Sequence, residues 1–298
     1  MLEYNQEKLT QDVLAAFAGT PEPRLRELMT ALVKHIHAFA REVDLKPDEW
    51  LAGLKFLESV GQISTERRPE FILLSDTLGL SMMVVSLAQA RASGKAQGAT
   101  EATEATVEGP FFWPGAPEMP LGADIGEGVP GEPCLYMGRV TDTDGKPIAG
   151  ALLDVWSGDG EGKYDVQLSP NPTMKARGRF HTDGEGRYWF WSIRPNYYPV
   201  PDDGPVGDML RATNRSIYRP GHIHMIVSAE GHVPLTTHIF VAGSPYIDQD
   251  VVFGKRDSLV VEFDKHPPGK AVDGRDMKVP YHSASYDFRL APVPARAH

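Results

Sequence analysis

The run Arg219-Pro220-Gly221-His222-Ile223-His224-Met225-Ile226-Val227 places two histidines two positions apart in a stretch that reads as a β-strand. Strand side chains alternate between faces, so His222 and His224 point the same way. Two imidazoles on one face of a rigid element can hold one metal ion. Two tyrosine-bearing loops precede them. Tyr164 stands in Gly162-Lys163-Tyr164-Asp165, and Tyr198 in Tyr197-Tyr198-Pro199-Val200-Pro201-Asp202-Asp203-Gly204-Pro205. The prolines of the second loop fix its backbone, as a loop presenting a ligand requires. Taken singly, these residues also suit plainer roles: a structural histidine pair and ordinary loop tyrosines.

Taken together they narrow the chemistry. Phenolate is a hard, anionic donor and imidazole an intermediate one. Two phenolates offset the charge of a trivalent ion better than that of a divalent one. That favours Fe(III) over Fe(II) and disfavours a 2-His-1-carboxylate Fe(II) site. Zinc sites seldom use tyrosine, and copper matches less well. Fe(III) held this way resists reduction and acts as a Lewis acid. The other histidines are not recruited. His35 and His37 are two apart on a helix, face different sides and read as solvated. His232, His266, His282 and His298 read as turn or tail residues, and His181 carries no assignment.

The elements that must position these groups follow from a change of texture near residue 100. Before it, apolar residues recur at helical spacing: Leu25, Leu28, Leu32 and Ile36 in one stripe, then Trp50, Leu54, Leu57 and Gly61 in another. Asp44 to Pro47 reads as the break between them, and Phe71 to Ala90 as a third, buried helix. Ser93 to Thr106 is small and polar and reads as a linker. Short apolar runs with turn chemistry follow. Cys134–Val140 and Ile148–Trp156 flank Asp142-Thr143-Asp144-Gly145, a hairpin signal, and Asp183-Gly184 precedes Arg187–Ile193 in the same manner. Gly221–Val227, Leu235–Val241 and Ser258–Phe263 read as further strands. Regularly spaced strands of this kind predict an antiparallel sandwich. Ala291–His298 reads as a loose tail.

The 298 residues suffice for one large domain or two smaller ones. A formal net charge of −10 argues against nucleic acid as the main partner and against an anionic membrane surface. The single cysteine, Cys134, excludes an intrachain disulfide, suits a reducing compartment and sits in what reads as a buried strand. The first eight residues carry acids and no apolar core, which predicts no signal peptide. The run Thr77–Ala90 is shorter than the roughly 20 residues a membrane span needs. The expected address is the cytoplasm.

Tyr164, the Tyr198-Pro-Val-Pro-Asp-Asp-Gly-Pro run and Arg219-Pro-Gly-His222-Ile-His224 together resemble the intradiol ring-cleavage dioxygenases. Val107-Glu108-Gly109-Pro110-Phe111-Phe112, Leu153-Asp154-Val155-Trp156 and Leu235-Thr236-Thr237-His238-Ile239-Phe240 belong to the same pattern. The likeness is close over residues 105–265. Its helical first part is similar to the dimerisation region of the catechol and hydroxyquinol branch. The resemblance implies an α+β chain: a helical dimerisation domain and linker over 1–104, then a β-sandwich catalytic domain over 105–298. It implies one Fe(III) per subunit held by Tyr164, Tyr198, His222 and His224, with O2 as co-substrate. Tyr198 and hydroxide would take the two protons of a catechol-type diol. Arg219 would stabilise charge developing on the ring; its plainer role is a salt bridge. His238 would orient the diol or an oxygen species. Val107, Gly109, Pro110, Phe111 and Val200, with Arg219, would line the ring pocket. The implied partners are a small aromatic diol or triol and a second copy of the chain, with a phospholipid at their interface.

Within the family, Gly204–Thr213, Val252–Val260 and His238 resemble the hydroxyquinol 1,2-dioxygenases. That branch implies cleavage of hydroxyquinol to 3-hydroxy-cis,cis-muconate or maleylacetate. Glu108, and the lack of an acid in Leu78–Val85, are closer to the catechol branch and leave a catechol or chlorocatechol 1,2-dioxygenase as the alternative. Two other classes compete: a β-sandwich binding module without metal, and a divalent-metal hydrolase on the same histidine strand. Intact Tyr164, Tyr198, His222 and His224 speak against the first.

Overall fold

The computed structural model describes residues 5–93, 102–168 and 172–293. They fall into two compact units that divide between Ser59 and Val60.

The first unit is helical. Helix α1 spans Gln6–Phe17, α2 Pro23–Glu42, and α3 begins at Pro47 and runs to Ile63. Pro23 and Pro47 stand at first helical positions, where a missing N–H costs nothing. Asp44, at φ 48°, ends the chain's run out of α2, as the break at Asp44–Pro47 predicts. Arg41 Nη1 and the His37 ring both lie 3.0 Å from Thr10 Oγ1, joining α1 to α2. His37 is thus a structural partner rather than a solvated residue. The stripes Leu25, Leu28, Leu32, Ile36 and Trp50, Leu54, Leu57 form on α2 and α3 as read. They are not a core: each is 45–55% exposed.

In the second unit, the segment read as one buried helix over Phe71–Ala90 is two: α4, Glu70–Thr77, and α5, Leu80–Ser93. The chain turns at Leu78-Gly79, and Leu80, Met83, Val84 and Leu87 stay exposed. No single helix among the described residues is long and apolar enough to cross a membrane; α4 and α5 reach that composition only as a pair bent by 74°.

The strands then build two five-stranded sheets. The first holds β1 (Pro133–Asp142), β4 (Arg187–Ile193), β10 (Asp264–His266), β13 (Tyr281–Ser285) and β14 (Phe288–Leu290). The second runs β3 (Arg177–His181), β2 (Leu152–Trp156), β7 (His222–Ser228), β8 (Leu235–Val241) and β9 (Val260–Val261). Two-residue strands β5 (Tyr198–Pro199) and β6 (Tyr218–Arg219) make one ribbon, and β11 (Gly269–Lys270) and β12 (Asp276–Met277) another. Short helices α6 (Asp165–Leu168) and α7 (Pro205–Ala212) sit in the connections. The pairing is mainly antiparallel, with parallel contacts at β1–β13, β1–β14 and β8–β9. Val140, Tyr136, Tyr188, Phe190 and Phe288 of one sheet meet Leu153, Val155, Phe180, Ile223, Met225 and Val227 of the other in one buried core. Each such side chain contributes roughly 1.5–3 kcal/mol.

Both hairpin signals form their turns, yet neither makes a hairpin of full strands. Gly145 donates to the Asp142 carbonyl and Gly186 to that of Asp183. The chain then crosses from one sheet to the other, because β1 and β2, like β3 and β4, need opposite sides of the same core. Ser258–Phe263 contributes only β9, after one turn of 3₁₀ helix at Asp257–Leu259. His266 and His282 are strand residues, not turn residues, and His282 pairs with Glu132 at 3.0 Å. His181 ends β3, with Nδ1 3.2 Å from the Gly150 carbonyl. Cys134 is buried in β1, as read. Of the linker, residues 94–101 lie outside the described residues; Thr103 and Thr106 are buried and bonded to Arg289 and Thr236. Of the tail, 294–298 lie outside too, while Ala291 and Val293 bond to Val233 and Gly231.

Candidate metal centre

The period-two alternation that sends Ile223, Met225 and Val227 into the sandwich core turns His222 and His224 to the other face of the sheet. On β8 the same alternation aims His238 to that face, and the register sets it directly opposite His224. On the other side Trp156 of β2 pairs with His224, its indole stacked on the imidazole at 4.6 Å and 15°. Loops rather than a second layer of sheet cover this face. Tyr164 enters from the loop before α6, and Tyr198 from the β5–β6 ribbon, where its backbone pairs with Arg219.

The sequence-predicted groups converge. Tyr164 Oη lies 2.7 Å from His224 Nε2 and 3.3 Å from Tyr198 Oη. The His222 ring is 4.7 Å from those of both His224 and His238. One nitrogen each of His222, His224 and His238 lie within 4.8 Å of one another. Tyr164, Tyr198, Arg219 and the three histidines are all at most 5% exposed. Among the pocket residues, Phe111 packs on Tyr164 at 4.5 Å. A Cβ on Gly109, whose φ is +80°, would sit 3.2 Å from the His224 ring. Val107 and Val200 are buried nearby in sequence to Thr106 and Tyr198, and Pro110 lines a 230 Å³ cavity with Phe112, Trp113 and Val166.

The protonation states suit a cation. His222 Nδ1 donates to the Pro220 carbonyl at 2.7 Å, which leaves the Nε2 lone pair facing the site. Burial, reinforced by the Arg219 charge, lowers the His222 imidazole to about 3. Burial likewise holds His224 and His238 well below the usual histidine range. Buried neutral imidazoles are what a metal ligand requires. His224 turns Nε2 into the site, 2.7 Å from Tyr164 Oη, and His238 Nε2 is buried without a hydrogen-bond partner, which a bound ion or substrate would satisfy. Burial, and the neighbouring Tyr198, push the Tyr164 phenol up; it would ionise only against a cation. Two phenol oxygens and two imidazole nitrogens therefore fit a metal ion.

Several residues that hold the site had no signal in the sequence. Asp165 receives Arg177 Nε at 2.7 Å and Nη2 at 2.5 Å, both side chains buried, and so anchors the residue after Tyr164. A Cβ on Gly162, at φ +81°, would lie 2.5 Å from Tyr198 Cβ, so the two tyrosine loops touch where only glycine fits. Thr106 Oγ1 bonds His238 Nδ1 at 2.9 Å. Asp250 pairs with Arg219 from 31 residues away. These contacts join segments far apart in sequence, and no local spacing marks them.

Comparison with known proteins gives the family. Residues 107–292 match the family described as Dioxygenase, and residues 22–96 that described as Catechol dioxygenase N terminus. A hydroxyquinol 1,2-dioxygenase of Nocardioides simplex is 46% identical over 97% of this chain and 96% of its own. A catechol 1,2-dioxygenase of Candida albicans is 38% identical, over 95% and 91%. The solved hydroxyquinol 1,2-dioxygenase of Pseudomonas putida superposes with a TM-score of 0.87 at 40% identity, covering 96% of this chain and 98% of that one. The chain belongs to the intradiol ring-cleavage dioxygenases, a family of non-haem iron enzymes.

Proposed function

We propose that this enzyme opens the ring of hydroxyquinol with O2, giving 3-hydroxy-cis,cis-muconate, at an Fe(III) ion held by Tyr164, Tyr198, His222 and His224. The observation that carries the ferric reading is the meeting of two phenols and two neutral imidazoles in one buried pocket. The choice of hydroxyquinol rests on the 46% identity to an enzyme of that name, against 38% to a catechol enzyme. Ferric ion supplies Lewis-acid activation of the bound diol.

The protein's own groups do the rest. Tyr198 Oη would accept one proton from the diol. Arg219, buried and held positive by Asp250 although burial opposes its charge, stabilises electron density gathering on the ring. His238 orients a hydroxyl through its unpartnered Nε2. Val107, Gly109, Pro110, Phe111 and Val200 flank the ring and exclude water.

The exposed stripes of α2 and α3 support a homodimer, with a phospholipid as a further occupant of the apolar faces. The lone, buried cysteine supports a cytoplasmic site of action. The test is oxygen uptake by iron-loaded protein with hydroxyquinol, catechol and chlorocatechols side by side. Preference for hydroxyquinol is expected; preference for catechol moves the enzyme to the other branch. A colourless iron-loaded protein would overturn the ferric site.

A further inference from the structure

Asp250 enters the chemistry above only as the counter-charge of Arg219, yet it is built tightly into the site. Its carboxylate receives Arg219 Nε at 3.0 Å and Nη2 at 3.2 Å, and the backbone N–H groups of Val252 at 3.4 Å and Gly254 at 3.0 Å. Both side chains of the pair are at most 3% exposed. The guanidinium is a planar fork of five N–H donors. With its Nε–Nη2 edge on Asp250, Nη1 is turned to the opposite side, 3.0 Å from His222 Nε2, while Nη2 also lies 3.5 Å from His238 Nδ1.

The loop that carries Asp250 grips the residues around Arg219. Ser244 Oγ accepts the Gly221 N–H at 2.8 Å, and the Val251 N–H reaches the Tyr218 carbonyl at 3.2 Å. The Tyr246 ring stacks on Tyr218 at 4.4 Å and 14°. Two bulky residues of this loop are left-handed, Tyr246 at φ 65° and Phe253 at φ 58°. Such a conformation is unfavourable for a bulky side chain and persists only where the surroundings impose it. A Cβ on Gly254 would sit 3.0 Å from Arg219 Nη2. The loop is thus shaped to bring one carboxylate against one edge of one guanidinium.

We propose that Asp250 is a positioning residue that fixes the rotation of the Arg219 guanidinium, so that Nη1 faces His222 and the diol. This rests on the proposed function above. With the His222 lone pair engaged as a ligand, Nη1–H is left to donate to a diol oxygen. The role acts through Arg219 alone, which makes it separable from a general structural one.

The test compares iron-loaded wild type with Asp250→Asn, Asp250→Glu, Arg219→Met and the double variant Asp250→Asn/Arg219→Met. Oxygen uptake with hydroxyquinol gives kcat and KM, and visible absorption gives the affinity for 4-nitrocatechol. Asp250→Asn should lower kcat by about 10- to 100-fold, as loss of an outer partner does. KM should change by less than about three-fold. Asp250→Glu should recover part of the rate. The double variant should be no slower, and bind 4-nitrocatechol no more weakly, than Arg219→Met alone. Losses in the double variant that multiply those of the single ones would overturn the proposal. So would an Asp250→Asn enzyme within about two-fold of wild type. If Asp250→Asn does not accumulate folded, Asp250→Glu decides: a lowered kcat at unchanged KM supports the proposal, and an unchanged kcat overturns it. A wild type that consumes no oxygen with any of the diols overturns the proposed function, and this inference with it.

Discussion

His224 and His238 stand directly opposite each other across the β7–β8 pairing, their rings 4.3 Å apart and nearly perpendicular at 82°. With His222 they put three neutral imidazoles into one buried volume, where even one added proton would face the Arg219 charge.

The metal-free fold should therefore lose stability on mild acidification. Each of these histidines has a lower pKa folded than unfolded, so below about 6.5 the unfolded chain binds protons that the fold refuses. Stability falls as pH falls, from about 6.5 down to about 3 for His222. The slope approaches roughly 1.4 kcal/mol per pH unit for each imidazole. Urea unfolding of metal-stripped protein at several pH values between 7 and 5 measures it, and His238→Gln should remove about a third of the slope. A flat profile would count against three buried neutral histidines.

Tyr198→Phe should keep the fold and lose the chemistry. Its hydroxyl lies 3.3 Å from that of Tyr164 and is absent from the sandwich core. Oxygen uptake should fall at least about 100-fold for loss of the proton acceptor, and the visible band should shift and weaken, with far-ultraviolet circular dichroism unchanged. A divalent-metal hydrolase would tolerate the change.

Gly162→Ala should act on the site through Tyr198. The new Cβ would meet Tyr198 Cβ at 2.5 Å with φ at +81°, whereas Gly145, at φ +82°, has open space around it. Both alanines carry left-handed strain of about 1 kcal/mol. Only Gly162→Ala adds the collision, so it should lower the melting temperature further and reduce iron retention. Calorimetry and iron content, with Gly145→Ala as the reference, decide this.

If the proposed homodimer forms through the α2 stripe, Leu28→Glu/Leu32→Glu should yield monomers. Both leucines are 50% exposed on the α2 stripe, and charge there would be desolvated by a partner. A rise of at least about 30-fold in the dimer dissociation constant, read by sedimentation, is expected for two central apolar positions. An unchanged dimer would place the interface elsewhere.

Local periodicity and chemistry were legible in the chain. The HxH spacing alone predicts a shared face, because strand side chains alternate whatever the tertiary context, and His222 and His224 do share it. The donor types alone predict a metal, because hardness and charge belong to the side chains. The helical stripes were legible as helices for the same reason, but not as exposed faces, since a periodicity looks the same whether solvent or protein covers it. The two hairpin signals were read correctly as turns, and the chain pairs beside each, Val140 with Ile148 and Asp183 with Arg187; the full strands do not pair, because a turn does not specify which sheet the next strand joins.

What the sequence by itself determined, then, is the donor chemistry of Tyr164, Tyr198, His222 and His224, which are the ligands proposed for the metal, and the secondary elements that carry most of them. Only the tertiary structure decided that His238 completes a trio of imidazoles and that Gly162 seats one tyrosine loop on the other. It also decided that Asp250, 31 residues downstream, grips Arg219. These relations are cross-strand register and loop-on-loop contact between distant segments, and such contacts are set by the packing of the whole sandwich rather than by any local run of residues.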